Sequence, residues 1–515
     1  MYKRANLILF IVFCLIILTV VTVQSSFQHW SGKWDTDFWY IYNASLMASG
    51  IGQEWFDHPA TTTQTLYSIF YNIYSLFDYT FIYKINEIMD STDPNLVLQK
   101  LYFVTRIFDS INIMLIILFT FKISKILSSK NVCAYFLTLT LILSITFFGH
   151  ISTLRAEDWA VLFFLISFYY FLRFFIESKI TFLTLSGMFF SFSFFSKISI
   201  LFLFLFTIIL IPLFYEIYST KNNSSIQKFF EKKFSILFSG YLVTLLLYSV
   251  IQIFVFSKLA PFEKNAGLDA IIILIINFSY MTFFLIISRF NIIKFKTYFS
   301  IFLIFFIGFF ISLIIFFTLD ILNIVKLNPW LIFHLTNPFN EMIRFTTTGD
   351  ISSVSSINAF NSIAHVLSKL FSKFIFDKFL FIGLGLIFII SIFKDLKNKN
   401  TYFYLLKVII FFGLLFNILI FNLRFFIDYS IFAHTFYIVL LSICFKNVSS
   451  KLVKYFCFIS LIYTIIYFPT KNFDLLKGQL KTRASLLRSL CNDSDMQFKT
   501  YSKQFNESTY KKLCN

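Results

Sequence analysis

Long uninterrupted apolar runs constrain this chain more than any other feature. Three of them are ANLILFIVFCLIILTVVTV at 5–23, ISILFLFLFTIILIPLF at 198–214 and YFSIFLIFFIGFFISLIIFFTL at 298–319. Runs of about 18 or more apolar residues predict transmembrane helices. With 58% hydrophobic and only 14% charged residues, the 515-residue chain also has too little polar surface for a soluble protein of its size. The sequence therefore predicts an all-α polytopic membrane protein.

The hydropathy pattern predicts about thirteen transmembrane helices, within a range of about 11 to 13. Lys3 and Arg4 precede the first apolar run, which has no small-residue cleavage site behind it, so the N-terminus is predicted to be cytoplasmic and the first helix an uncleaved signal-anchor. The predicted helices lie near 5–23, 107–121, 132–149, 159–176, 180–196, 198–218, 234–256, 268–288, 298–319, 379–393, 403–421, 425–445 and 453–468.

The charges that were not used to place these helices support the same topology. Outside the long loops, most Lys and Arg residues fall on the predicted cytoplasmic side, as the positive-inside rule expects. The acidic residues on that side are only Glu177, Glu216, Glu231 and Asp395. This distribution explains the net charge of +18 as anchoring to anionic lipid, and it argues against a nucleic-acid partner.

The predicted topology divides the chain into a transmembrane domain at 1–468 and a polar outer tail at 469–515. Two outer segments, 24–106 and 320–378, are longer than simple connections need to be. Within the first of them, TLYSIFYNIYSLF at 65–77 is amphipathic, and it is predicted to lie flat on the outer leaflet with its Phe, Ile and Leu side chains towards the lipid.

Acidic residues follow the first helix and recur in the next short outer turn. Asp35 and Asp37 lie in KWDTDFWYIY at 33–42, and GHISTLRAEDWAVLFF at 149–164 brings an arginine and two more acids. A carboxylate at such a place can hold a metal, pair with a cation or act as a general base. Acids at a helix N-terminus are also favoured by the helix dipole, and the sequence leaves these interpretations open.

Cations are predicted near the same membrane face. Lys197 stands alone between two apolar runs, and Arg424 lies in FNLRFFIDYS at 421–430. Each either anchors its helix at the lipid headgroups or binds a phosphate. Acids and cations together suit the transfer of a sugar from a lipid phosphate to an acceptor, because a carboxylate takes the acceptor's proton and cations stabilise the leaving phosphate.

The order of these motifs resembles the GT-C superfamily of glycosyltransferases, in its protein O-mannosyltransferase-like and aminoarabinose-transferase-like branch. Asp35 is followed by Gly50 in NASLMASG, and His58-Pro59 is similar to a Lys- or His-Pro motif of that branch. The arginine and acids of LRAEDWAVLFF at 154–164, and the glycine helix that ends at Lys197, come next in the same order. The resemblance covers roughly residues 1–215 and a later match at Arg424.

The resemblance implies an inverting glycosyltransferase with Asp35 as catalytic base and Asp158 as a second catalytic acid. It implies supporting acids at Asp37 and Glu157, donor-phosphate contacts at Arg155, Lys197 and Arg424, and acceptor or loop contacts at His58 and Arg344. The chain departs from the pattern at Thr36, Ala60 and Ser191, where the branch often has Glu, a second Pro and a second Gly.

The implied donor is a sugar on undecaprenyl or dolichyl phosphate, and the implied acceptor is a hydroxyl or amine of a glycolipid or protein. No cofactor is predicted; if a divalent cation binds, Asp35 and Asp158 are its expected ligands. The expected location is a bacterial inner membrane, with the site on the extracytoplasmic face.

Two other functions are open on the sequence. An O-antigen polymerase or ligase-type enzyme also has many helices and uses lipid-linked sugars, but it does not need acids directly after the first helix. A transporter of polysaccharide or lipid-linked sugar is expected to carry charges or Gly/Pro breaks in mid-membrane. The outer clusters of acids favour the glycosyltransferase.

Overall fold

The structure is a computed structural model that describes residues 2–30, 37–54, 60–142, 153–197, 295–327, 378–422, 437–446 and 504–514, with short pieces between 200 and 282 and between 448 and 466. These residues form helices and contain no strand. In chain order the helices are α1 (Tyr2–Phe27), α2 (Trp39–Ala48), α3 (Thr61–Tyr74), α4 (Ile85–Asp90), α5 (Pro94–Ser128), α6 (Asn131–Ile142), α7 (Ala156–Glu177), α8 (Ile180–Ser196), α9 (Phe295–Ile321), α10 (Lys378–Lys397), α11 (Thr401–Asn422), α12 (Tyr437–Lys446) and α13 (Glu507–Cys514).

Three of the described helices, α5, α7 and α9, are long and apolar enough to cross a membrane. The prediction of an all-helical, membrane-associated protein is therefore confirmed for the described part of the chain. The predicted helices at 198–218, 234–256, 268–288 and 453–468 fall mostly outside the described residues, as does the first half of the one at 425–445. The number of thirteen crossings stays a prediction.

Helix α5 begins well before the predicted residue 107. Asp93 caps its N-terminus by accepting a hydrogen bond from the Leu96 amide at 3.0 Å, and Pro94 follows at the first helical position. Both residues are typical helix starts. At 35 residues the helix is about 50 Å long, which exceeds the roughly 30 Å of a bilayer core. The helix is therefore longer than a bilayer core needs, and its residues 94–106 fall within the predicted first outer segment.

The helix ends that were predicted to face outward meet at one end of the molecule. The Leu154 amide lies just before α7, and it donates to Oδ1 of Asp37, which lies just before α2, at 2.6 Å. After α9, the Lys326 amide donates to the Met47 carbonyl oxygen at 3.1 Å, at the end of α2. These bonds place the segments after α1 and α9, and the turn before α7, on the same side, as the predicted topology requires.

Helix ends predicted to be cytoplasmic also meet one another. Lys130, at the start of α6, donates from Nζ to the Phe445 and Val448 carbonyl oxygens at 2.9 and 2.8 Å. Lys407 of α11 forms a fully buried ion pair with Asp395 of α10, and its ammonium also donates to Ser391. Lys130 thus ties the start of α6 to the end of α12, and Lys407 ties α11 to α10. The Ser391 hydroxyl, which donates to the Cys444 carbonyl oxygen at 3.3 Å, joins α10 to α12.

Helices α8 and α9 approach each other closely through small residues. A Cβ added to Gly187 would lie 1.8 Å from the Phe305 carbonyl oxygen, and one added to Gly308 would lie 2.0 Å from the Thr184 carbonyl oxygen. One turn further along each helix, the Ser312 hydroxyl donates to the Ser191 hydroxyl. Small residues four apart on both helices are the usual way for membrane helices to pack backbone against backbone.

The end of the polar tail docks on the first outer segment. The Gln504 side-chain amide donates to Glu54 Oε1 at 2.9 Å, and its backbone amide donates to the Tyr42 hydroxyl at 3.2 Å. The buried ring of Phe505 packs against Phe38 and Tyr42 with centroids 6.4 and 5.3 Å apart. Residues 504–514 therefore lie beside the start of α2.

We expect Phe505→Ser to release this end of the tail, because the substitution removes the buried ring that anchors it. Trypsin should then cleave at Lys511 and Lys512 faster than in the wild-type protein, which a C-terminal epitope tag would report. Ser508→Ala changes an exposed position of the same helix and is the control. Equal cleavage of both variants would contradict the docking seen here.

Candidate functional site

The structure brings together the predicted site residues that it describes. Asp37, Arg155, Glu157, Asp158 and Lys197 lie at the ends of α2, α7 and α8 that are predicted to face outward. Asp37 precedes the other four by more than a hundred residues, and its hydrogen bond with the Leu154 amide joins it to the turn before α7, while an ion pair joins Glu157 to Lys197. The predicted residues Asp35, His58, Arg344 and Arg424 lie outside the described residues.

Asp37 joins the first outer segment to the turn before α7. Its side chain is fully buried, and its Oδ1 accepts the hydrogen bond from the Leu154 amide. The hydroxyl of Tyr102, on the outer part of α5, donates to Gln28 at 3.0 Å and also lies beside Asp37. A buried carboxylate needs such partners, because burying a charge without them costs far more than burying an apolar side chain. Asp37 therefore fixes the start of α2 against the turn before α7.

Glu157 and Lys197 form a buried ion pair between α7 and α8. Lys197 Nζ lies 2.8 Å from Glu157 Oε1, and both side chains are about 5% exposed. Burial opposes the charge on Lys197, but the Glu157 carboxylate outweighs it and raises the pKa of Lys197 above its ordinary value. Lys197 is therefore an ammonium at neutral pH and not a cation snorkelling among the headgroups.

Two neighbours complete this charged group. Arg155 is half-buried, donates from Nε to the Thr153 hydroxyl at 3.1 Å and interacts with the charges of Glu157 and Lys197. Tyr40 of α2 lies beside the pair; burial, and then the Glu157 charge, raise the pKa of its phenol above the ordinary value. Its hydroxyl thus stays protonated and can donate a hydrogen bond.

A second buried carboxylate, Asp109, was missed by the sequence reasoning. Its Oδ1 accepts hydrogen bonds from the Tyr67 hydroxyl at 2.8 Å and from Trp159 Nε1 at 2.9 Å. Asp158 is fully buried next to Trp159, and it is close enough to Asp109 for their charges to interact. Arg106, one turn before Asp109, is buried as well. Helix α5 therefore contributes an acidic side chain and a cation to the interior of the site.

The signal that would have revealed Asp109 is present in the sequence. The helix start Asp93-Pro94 extends α5 outward, and a helix over 94–128 puts Tyr102, Thr105 and Asp109 on one face at the spacings i, i+3 and i+7. The prediction began this helix at 107 because apolar content alone set its boundary. Arg106 was then assigned to a loop, although it lies inside the helix.

Within the described part of the chain, no group of three or more His, Cys, Asp or Glu side chains is placed to hold a metal ion. The expected ligand pair, Asp35 and Asp158, includes one residue outside that part. The sequence predicts no metal and names this pair only as the expected ligands if one binds, and that expectation stays a prediction.

The fold and the site define the class of protein: an all-helical membrane-associated protein with buried acids and cations gathered at one end of its helices. No protein-family model matches this chain, and no curated protein matches it.

Proposed function

We propose that this protein is a multi-pass membrane glycosyltransferase that moves a sugar from a polyprenyl-phosphate donor to an acceptor hydroxyl or amine on the extracytoplasmic side. The observation that carries the proposal is the hydrogen bond from the Leu154 amide to Asp37 Oδ1 at 2.6 Å. It joins Asp37, which follows Asp35 by two residues in the chain, to the turn that leads into Arg155, Glu157 and Asp158. The resemblance to the GT-C superfamily supports the same function, and we propose a bacterial inner membrane as its location.

In the proposed reaction, the acceptor oxygen attacks the anomeric carbon from the face opposite the phosphate. Asp35 accepts the proton of the attacking hydroxyl, the bond between the anomeric carbon and the phosphate oxygen breaks, and polyprenyl phosphate leaves with inversion at that carbon. A positioned general base contributes about 10² to 10⁴ in rate. The negative charge that grows on the leaving phosphate is stabilised by nearby cations.

The described residues support particular roles in this reaction. Arg155 is half-buried beside the ion pair, so its guanidinium is the described cation that we assign to the donor phosphate. Lys197 is paired with Glu157, and this ion pair joins α7 to α8. We assign Lys197 a supporting role, in which its positive charge adds to that of Arg155 near the donor phosphate. Asp158 is buried and close enough to Asp109 for their charges to interact. Buried carboxylates that lie near one another are typical of functional sites.

The experiment that tests the proposal compares the wild-type protein with Asp35→Asn in membranes supplied with radiolabelled polyprenyl-phosphate sugars and native lipid and protein extract. We expect label to leave the polyprenyl carrier with the wild-type protein and the rate to fall by about 10²-fold or more with Asp35→Asn, because the amide cannot accept the proton.

Asp90→Asn is the matched control, since Asp90 is an exposed acid at the end of α4 in the same outer segment. It should transfer label like the wild-type protein at equal expression. Equal rates for all three proteins would remove Asp35 from the mechanism and favour an O-antigen polymerase or ligase-type enzyme. Failure of the wild-type protein with every donor would favour a transporter of lipid-linked sugar.

A further inference from the structure

Helix α3 has its polar face inside the protein and its apolar face outside. The side chains of Thr61, Gln64, Thr65 and Ser68 are buried, whereas Ile73 is 49% exposed. Leu66, Ile69 and Phe70, which share the face of Ile73, are half-buried. A helix that meets water shows the reverse pattern, with polar residues outside. The outward side of α3 is therefore built to meet an apolar environment.

The turn after α3 exposes large apolar side chains completely. Leu76, Phe77 and Tyr79 are 82, 83 and 95% exposed. Single exposed apolar residues are ordinary on protein surfaces, but a contiguous group marks an interaction site. We call Leu76, Phe77 and Tyr79 the apolar tip; Asp78, which lies between them in the chain, pairs with Lys100.

Helix α9 explains what the apolar tip meets. One stripe of α9 is exposed at the spacing of a helix face: Ile307, Phe310, Ile314, Phe317 and Ile321. The opposite face carries Gly308 and Ser312, which pack against α8. Because α9 is long and apolar enough to cross a membrane, its exposed stripe is the surface that faces lipid.

Exposed apolar residues continue past the end of α9 and lie beside the first outer segment. Beyond Ile321, Leu322 and Ile324 are 61 and 40% exposed. The Asn72 side-chain amide then donates to the Ile324 carbonyl oxygen at 3.1 Å, which fixes the end of α9 beside the end of α3. The exposed residues of α3 and the apolar tip thus adjoin the outer end of a lipid-facing surface.

Exposed lysines lie around the same region. Lys100 is 44% exposed and pairs with Asp78, Lys326 is 45% exposed and pairs with Asp320, and Lys84 is exposed beside the ring of Tyr83. Apolar side chains bordered by lysines are typical of segments that enter the headgroup region, where the ammonium reaches water and phosphate.

We propose that the apolar tip and the exposed face of α3 insert into the outer leaflet beside the end of α9, with lipid acyl chains as their partner. The insertion is independent of the proposed catalytic function. It would hold the first outer segment against the bilayer, and with it the chain around Asp37. It also refines the prediction for 65–77: this helix uses its polar face to pack on the protein, and the turn after it enters the lipid most deeply.

The test uses nitroxide labels on cysteines introduced at Phe77 and Tyr79, in a full-length background with Cys491→Ser and Cys514→Ser and reconstituted in liposomes. Collisions with oxygen, which concentrates in lipid, and with a water-soluble nickel chelate report the surroundings of each label. Glu87 is the control position, because it is exposed on α4 of the same outer segment. We expect labels at 77 and 79 to collide mainly with oxygen, and the label at 87 mainly with nickel.

Strong nickel collisions at 77 and 79 would place the tip in water and overturn the proposal. Weak collisions with both reagents would show that protein covers the tip, either residues 328–377 or a second copy of the chain, and would overturn it as well. Both labelled side chains are more than 80% exposed, so the substitutions leave the packing intact. An unchanged thermal unfolding profile would verify this.

Discussion

Lys197→Met is expected to destabilise the protein by about 3 to 5 kcal/mol, because it leaves the Glu157 carboxylate buried without its cation. That is a large part of the roughly 5 to 15 kcal/mol that stabilises a typical native protein. Arg155, which interacts with the charge of Glu157, compensates in part and places the effect towards the lower end of the range. The measurement is the thermal unfolding midpoint of the detergent-solubilised protein, read by size-exclusion chromatography after heating.

Two further variants test whether the loss of stability arises from the burial of the Glu157–Lys197 ion pair. Lys100→Met removes the cation of the exposed pair with Asp78 and should change the midpoint little, because water and salt already screen that pair. The double variant Lys197→Met with Glu157→Gln removes both buried charges and should recover part of the lost stability. If Lys197→Met were as mild as Lys100→Met, then Glu157 and Lys197 would not form a buried pair.

The sequence predicted well the parts of this protein that depend on hydrophobicity and on the sign of charges. Apolar runs located α1, α7, α8 and α9 to within a few residues, because a helix in lipid must be apolar along its whole length. The predicted grouping of helix ends followed from the order of the apolar runs and from Lys3 and Arg4 before the first of them. Neither prediction requires knowledge of which helix contacts which.

The contacts inside the site could not be predicted from the sequence, and the reason is physical. Asp37 and Leu154 are separated by more than a hundred residues, and nothing local in either segment encodes their hydrogen bond. The sequence left Lys197 as either a headgroup anchor or a phosphate contact, and it did not predict the ion pair with Glu157, because one residue cannot reveal its partner on another helix. Asp109 was missed because apolar content was the only criterion for the start of α5.

The same limit applies to Ser191. It was noted only as a departure from a glycine motif, but in the structure its hydroxyl accepts a hydrogen bond from Ser312 of α9. Gly187 and Ser191 therefore pack against α9, a helix that lies more than a hundred residues later in the chain. Whatever its role in the family that the sequence resembles, this glycine has a structural function here: it lets α8 and α9 touch along their backbones.

Gly308→Ala is expected to force α8 and α9 apart, because the added methyl group would lie 2.0 Å from the Thr184 carbonyl oxygen and 2.9 Å from the Met188 amide nitrogen. Both atoms belong to the backbone, so they cannot move aside as the end of a flexible side chain would. Overpacking of a core typically costs about 1 to 3 kcal/mol, and a collision with a rigid backbone belongs at the upper end or beyond. Gly187→Ala meets the Phe305 carbonyl oxygen at 1.8 Å and should have the same effect.

Gly385→Ala on α10 is the matched control, because a Cβ at that position meets nothing within 4 Å. Alanine favours a helix over glycine by about 1 kcal/mol, so this variant should unfold at the same or a higher temperature than the wild-type protein while Gly308→Ala unfolds at a lower one. Shifts of the unfolding temperature in opposite directions for the same Gly→Ala change would show that the effect comes from the contact between α8 and α9.

A double variant tests whether this contact also supports the ion pair. Since α8 ends directly before Lys197, a displaced α8 should also disturb the pair with Glu157, so Gly308→Ala combined with Lys197→Met should destabilise by less than the sum of the single effects. Strict additivity would mean that α8 keeps Lys197 in place without the support of α9.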